Sequence, residues 1–162
     1  MRESMALLTP RFSANRAVRE YTEQHYLPAA TAYHLRIDNK EAIGKMIVDW
    51  MHNLEQKWTT QHLGEVKVET FGEQHVFEIQ VFLADLDPKA VHIELYADGI
   101  NDGVSVTQEM KLLHPLAGVA GGYVYNASVS SSRPPSDYTA RLIPHFDGVA
   151  VPLEEERILW QR

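Results

Sequence analysis

Gly64-Glu65-Val66-Lys67-Val68-Glu69-Thr70 is the place where the period of this 162-residue sequence changes. Upstream, Ile43, Ile47, Trp50, Leu54 and Trp58 recur at steps of three and four, which draws one apolar stripe along an α-helix of about six turns. From Gly64 onward, Val66, Val68 and Thr70 alternate with Glu65, Lys67 and Glu69, the two-residue period of a strand with one face in a core. The α-to-β boundary is therefore expected at residues 62–65. The chain reads as α+β, with helices first and strands after.

Working downstream, Phe77, Ile79, Val81 and Leu83 alternate with Glu78, Gln80 and Phe82, and Asp85-Leu86-Asp87-Pro88 makes a turn. Val91, Ile93 and Leu95 alternate with His92, Glu94 and Tyr96 before Ala97-Asp98-Gly99. The beat continues less regularly through Val104, Val106, Met110 and Leu112. Gly121-Gly122 introduces Tyr123, Tyr125, Ala127 and Val129. A Ser130–Pro135 loop leads to Tyr138, Ala140 and Leu142, and Ile158-Leu159-Trp160 closes the chain. Six or seven short strands with turn signals every ~10–15 residues predict an antiparallel β-sandwich. Asp137-Tyr138-Thr139-Ala140-Arg141 resembles the entry to the penultimate strand of immunoglobulin-like and fibronectin-like domains. There a tyrosine hydroxyl bonds back to the corner backbone; an ordinary strand tyrosine is the equal alternative.

Upstream, Met5, Leu7 and Leu8 form a short helical end that stops at Pro10. Ser13 or Asn15 can cap the next helix. Val18, Tyr21, His25 and Tyr26 fall near helical spacing, and Pro28 is expected to end that run. An Ala-rich connector reaches Ile37, and Asp38-Asn39-Lys40-Glu41 has the spacing of a capping box in front of the long helix. This divides the chain into residues 1–36 (helical tail), 37–63 (long amphipathic helix) and 64–162 (β-sandwich).

Composition narrows the function classes. Apolar residues make up 44% and charged residues 23%, as in an ordinary globular domain. A net charge of −7 argues against nucleic acid and anionic membrane surfaces, which need a basic face. There is no cysteine, so thiolate metal sites and thiol nucleophiles are excluded. The absence of a signal pattern and of a long apolar run leads to the expectation of a cytoplasmic chain. The sequon Asn126-Ala127-Ser128 lies in an expected strand and reads as chance.

Chemical motifs are sparse. Eight histidines share neither a His-x-His nor a His-x-x-x-His spacing, so no metal site is expected. Gly118, Gly121 and Gly122 lack a following Lys-Ser or Lys-Thr and read as a loop, not a phosphate cradle. Asp85, Asp87, Asp98 and Asp102 sit at turns, where side-chain-to-backbone bonds account for them. No serine sits in a nucleophile elbow. Glu154-Glu155-Glu156 reads as a solvated face, and Trp50 and Trp58 as packing residues.

Phe12-Ser13-Ala14-Asn15-Arg16-Ala17-Val18-Arg19-Glu20-Tyr21 resembles the last helix of the catalytic core of glycogen and α-glucan phosphorylases, which typically ends in F-S-x-[DN]-R-[TA]-[IV]-x-[EQ]-Y. Asn15 stands where many members have Asp; both cap helices. Val151-Pro152-Leu153-Glu154 and Arg157-Ile158-Leu159-Trp160 resemble the end of the carboxy-terminal extension of long bacterial members. The resemblance implies the C-terminal region of a long-form bacterial α-glucan phosphorylase. Its parent would be a pyridoxal-phosphate glycosyltransferase that releases glucose 1-phosphate from α-1,4-glucan. The motifs that hold cofactor and substrate lie upstream of Met1, so no catalytic, cofactor-binding or metal residue is carried over.

The resemblance thus implies a non-catalytic accessory domain with a structural or assembly role, not a free-standing enzyme. Its expected partner is the rest of the parent chain. The alternative is a glycan-binding module holding α-glucan near the parent active site, for which Tyr96, on the solvent phase of its strand, Tyr125 and Trp160 are the stacking candidates; Tyr123, Tyr125 and Trp160 could instead fill the sandwich core or seat it on the α half. Residues 1–30, cut from their parent packing, are expected either to self-associate or to be mobile.

Overall fold

A computed structural model describes residues 2–100 and 103–162. The chain forms two compact units, Met1–Met46 and Ile47–Arg162.

In the first unit, α1 (Arg2–Arg11) ends one residue past Pro10. The Ser13 hydroxyl then caps α2 (Ala14–Tyr21) by accepting from the Arg16 N–H at 3.3 Å, and Arg16 pairs with Glu20 one turn on. Pro28 does not end the helical run. Thr22–Tyr26 form a π-turn in which the Leu27 N–H reaches back to the Thr22 carbonyl, and α3 (Leu27–Lys57) follows directly. A proline ring collides with the carbonyl four residues back in a regular helix; the wider π-turn is where that collision is relieved. The Ala-rich stretch expected as a connector is therefore helical.

The span assigned to α3 is not straight. Glu41, at the expected start of the long helix, has φ +63°. A Cβ on Gly44 would lie 3.5 Å from the Arg36 carbonyl oxygen, whereas eight residues of straight helix cover ~12 Å. The chain therefore folds sharply between Arg36 and Gly44. The side chains of Asn39 and Lys40, inside the expected capping box, lie outside the described residues, as do those of Leu7 and Pro10.

In the second unit, residues Ile47–Lys57 of α3 and a 3₁₀ turn (Trp58–Thr60) lead into two four-stranded antiparallel sheets. The strands are β1 (His62–Phe71), β2 (Gln74–Phe82), β3 (Val91–Ala97), β4 (Val106–Glu109), β5 (Lys111–Pro115), β6 (Gly122–Ser130), β7 (Thr139–Pro144) and β8 (Leu159–Trp160). One sheet runs β1-β2-β6-β5 and the other β4-β3-β7-β8. Phe77, Ile79 and Val81 from the first meet Ile93, Leu95 and Leu142 from the second in one core, which Ile47, Trp50 and Leu54 join. The fold is α+β with a β-sandwich. The Trp50 ring rests on Phe146, and its indole N–H donates to the Ala90 carbonyl.

Three local features depart from the alternation pattern. The run Val104–Leu112 is two strands in different sheets, hinged at buried Met110, whose N–H donates to the Ile93 carbonyl at 2.8 Å. β1 starts two residues before Gly64, where a bulge shifts its register against β2 between Leu63 and Val66. A Cβ at Gly64 would lie 2.7 Å from the Phe82 ring, so any larger residue here would have to push that ring aside. Tyr138 turns its ring edge-on to Phe77, 5.7 Å away, and the Arg133 guanidinium lies over it. Among the described residues its hydroxyl bonds to no backbone group, so this corner is held by ring packing instead of a tyrosine-corner hydrogen bond.

Candidate functional site

A connected cluster of polar and aromatic side chains stands on the outer face of the β3-β7-β8 sheet. Alternation puts Val91, Ile93 and Leu95 in the core and leaves His92, Glu94 and Tyr96 outside. On β7 the outward residues are Thr139, Arg141 and Ile143. The register places Glu94 opposite Arg141 and Arg141 opposite Trp160.

Arg141 organises this face. Its guanidinium donates to the Glu94 carboxylate through Nε and a terminal nitrogen, both groups being half-buried. The same cation lies 4.5 Å from the Tyr96 ring centre and 5.0 Å from that of Trp160. The two rings meet edge to face at 5.4 Å. The Tyr96 hydroxyl donates to Asp98 at 3.0 Å. At the other end of β3, His92 stacks on His145 at 3.6 Å, and Glu109 and Asp147 approach one ring each. Burial, then the charge of His145, lowers the His92 pKa below 6.5; Glu109, Glu94 and Asp147 oppose the shift.

Of the three stacking candidates, the structure brings Tyr96 and Trp160 together and sends Tyr125 elsewhere. Tyr125 is 6% exposed, in the core, where burial first and Tyr123 second push its pKa up to about 12. It pairs with Ile79 and shares its parity on β6 with Ala127 and Val129, both buried. It has no face to offer a ligand. Trp160 is 39% exposed, but Arg141 and Tyr96 already occupy part of its ring. Arg141 and Glu94 themselves were not singled out from sequence; outward parity on adjacent strands is the signal that could have paired them.

The remaining motifs resolve individually. Asp87 caps the turn Pro88–Ala90 by accepting from the Lys89 N–H, and Asp85 pairs with Lys57 at 3.1 Å. Asp98 also accepts, through its carbonyl, from Arg133. Asp102 lies outside the described residues. Gly121 is a loop residue with φ +70°, and a Cβ there would lie 2.1 Å from the Ala84 carbonyl oxygen. The acidic run 154–156 is not uniformly solvated. Glu155 is 4% exposed and grips Arg157 through both the guanidinium, at 2.7 Å, and the backbone N–H. His75 is buried, its Nε2–H donating to the Arg133 carbonyl while Nδ1 accepts from the Thr70 hydroxyl. Among the described residues no three His, Asp or Glu side chains could hold a metal, and no helix is long and apolar enough to cross a membrane.

No protein-family model matches the sequence. Characterised relatives do. The chain is 29% identical over 156 residues to the maltodextrin phosphorylase of Thermococcus litoralis, covering 91% of this chain and 18% of that protein. It is 23% identical over 159 residues to the glycogen phosphorylases of Mycobacterium bovis and Mycobacterium tuberculosis, covering 93% of this chain and 18% of each of those proteins. The chain matches a small region of glycogen and maltodextrin phosphorylases. It spans under a fifth of their length, and the match takes in both the helical unit and the sandwich.

Proposed function

We propose that this chain is a non-catalytic accessory domain of an α-glucan phosphorylase, seated on the catalytic portion through its helical unit. The observation that carries the reading is α2. It is strongly amphipathic, yet it buries no residue within this chain. Val18, Tyr21, Tyr26, Leu27 and Tyr33 are all more than half exposed along one run of helix. An isolated helix of this length is marginal without a partner for its apolar side. The match to enzymes more than five times as long supplies the class of partner: the catalytic portion of the same polypeptide.

The parent reaction would be phosphorolysis of α-1,4-glucan with pyridoxal phosphate, in a cytoplasmic setting. Pyridoxal phosphate requires a lysine amine inside a pocket. Neither the cleft lined by Val104, Ser128 and Arg133 nor the one lined by Val66, Phe77 and Tyr138 has a lysine in its wall, so neither of these two fits the cofactor. The strand orders β1-β2-β6-β5 and β4-β3-β7-β8 support an immunoglobulin-like type, as they correspond to A-B-E-D and C′-C-F-G. A second reading, in which α-glucan stacks on Trp160 beside Tyr96, draws only on the exposed part of that ring.

Hydrogen exchange tests the seating. Amides of residues 14–35 should exchange quickly in this chain alone and gain protection when it is joined to a phosphorylase catalytic portion. Equal exchange in both forms would overturn the reading. Tryptophan fluorescence titrated with maltodextrin tests the second reading; no change that depends on Trp160 would remove it.

A further inference from the structure

β1 is an edge strand of ten residues, paired on one side with β2. One in two of its residues therefore directs backbone N–H and C=O groups away from the sheet. Proteins protect such edges with bulges, prolines or inward-pointing charges. Here the bulge covers only the first part, between Leu63 and Val66. From Glu65 to Phe71 there is no proline, and the inward positions are Val66, Val68 and Thr70, facing Ile79, Phe77 and His75 across the ladder. Val68 is 40% exposed and Phe71 62% exposed, although each is paired with a residue of β2. Val66 and Val68 line an open cleft of about 440 Å³ that reaches Phe77 and Leu95 in the core. The side-chain oxygen of Gln161 in the wall of that cleft is buried and has no hydrogen-bond partner.

We infer that this edge pairs with the β1 edge of a second copy of the chain, antiparallel about a two-fold axis at Val68. The charge pattern selects this occupant and this register. Centring on Lys67 would set Lys67 against Lys67 and Glu65 against Glu69, both repulsive. Centring on Val66 would draw the bulge into the ladder. Centring on Val68 sets Lys67 opposite Glu69 of the other copy, twice, and Val66 opposite Thr70. Val68 then meets its own counterpart at the mouth of the cleft. The ladder joins two four-stranded sheets into one of eight. A single shared edge covers less than the ~1,600 Å² of a standard interface, so the dimer is weak and salt-sensitive. The inference stands on the sandwich alone and does not rest on the phosphorylase reading.

Sedimentation equilibrium across a concentration series, with circular dichroism to confirm folding, tests it. The wild-type chain should form dimers that weaken with salt. Lys67→Glu and Glu69→Lys are both exposed changes; each makes two like-charged cross-copy pairs and should weaken its own dimer roughly tenfold or more. The first variant carries acidic side chains at both positions and the second carries basic ones at both. Mixing them makes every cross-copy pair between positions 67 and 69 attractive again, and should restore dimerisation as a heterodimer. The inference is overturned if the wild type stays monomeric, if either variant dimerises as the wild type does, or if the folded variants fail to pair on mixing. Dimerisation through the helical unit would show as the second of these.

Discussion

The helical unit and the sandwich are cut from one sequence, yet they settle their apolar side chains in opposite ways. In the sandwich, strand parity carries Phe77, Ile79, Val81, Ile93, Leu95 and Leu142 into a shared core, and Leu54 of α3 is fully buried with them. Among the described residues of Met1–Met46 no apolar side chain is buried. Local propensity is satisfied in both: Ser13 caps α2, and the π-turn accommodates Pro28. The difference lies in partners. An amphipathic helix is stabilised by what covers its apolar side, and a helix carries its own hydrogen bonds whether or not that cover is present. A strand has no such option, since its backbone groups must pair with other strands.

The largest expected effect tests that contrast directly. Leu54→Ala, which opens a cavity at a fully buried site, should cost roughly 3–5 kcal/mol in a denaturant titration. Val18→Ala, at an exposed site of equal helical regularity, should cost less than ~0.5 kcal/mol. Comparable costs would mean that the helical unit has a core of its own. Arg141→Ala should come next, at roughly 1–3 kcal/mol, because it leaves the half-buried Glu94 carboxylate without its cation and two rings without theirs. Arg141→Lys should recover only part, since an ammonium cannot reproduce the fork that Glu94 and the rings share. Full recovery would show that charge alone matters on this face.

The pH dependence is smaller and has a different sign at each end. Tyr125 has its pKa raised to about 12 in the fold against 10.0 for an unperturbed tyrosine, so its contribution is complete below pH 10 and is lost as pH rises from 10 towards 12. Tyr125→Phe should remove that loss. His92 is a base with a lowered pKa. Its contribution is complete above 6.5 and declines as pH falls below it, because the unfolded chain takes up the proton first. His92→Gln should flatten the acid slope measured by urea unfolding between pH 7.5 and 5. An unchanged slope would assign it to other groups.

Much of this was legible before any coordinate. The change of period at Gly64 marked where strands begin, and the stripe through Ile47, Trp50 and Leu54 marked the helical residues that join the core. Both are short-range patterns, set by how side chains alternate about a local backbone. The stacking candidates were harder. Tyr96 alternates with buried neighbours and is readable as outward, but Tyr125 lies in a strand where Val124, on the opposite face, is also buried. Two covered faces erase the period that would have told core from surface. The acidic run 154–156 failed for a related reason: Glu155 is buried by its grip on Arg157, and composition averages over such pairs.

By itself, then, the sequence determined the order of helices and strands and the inward residues of β1, β2, β3 and β7, because period and turn chemistry act over a few residues. Only the tertiary structure decided that Met110 moves the chain from one sheet to the other, that Pro28 sits inside a continuous helical run, and that Arg141 gathers Glu94, Tyr96 and Trp160. Each of these depends on a neighbour: a carbonyl at Ile93, a widened turn before the proline, a register between β3 and β7 that joins residues 47 positions apart. Pairing at that distance is chosen by the closing of a whole core, and no short window of sequence contains the terms that choose it.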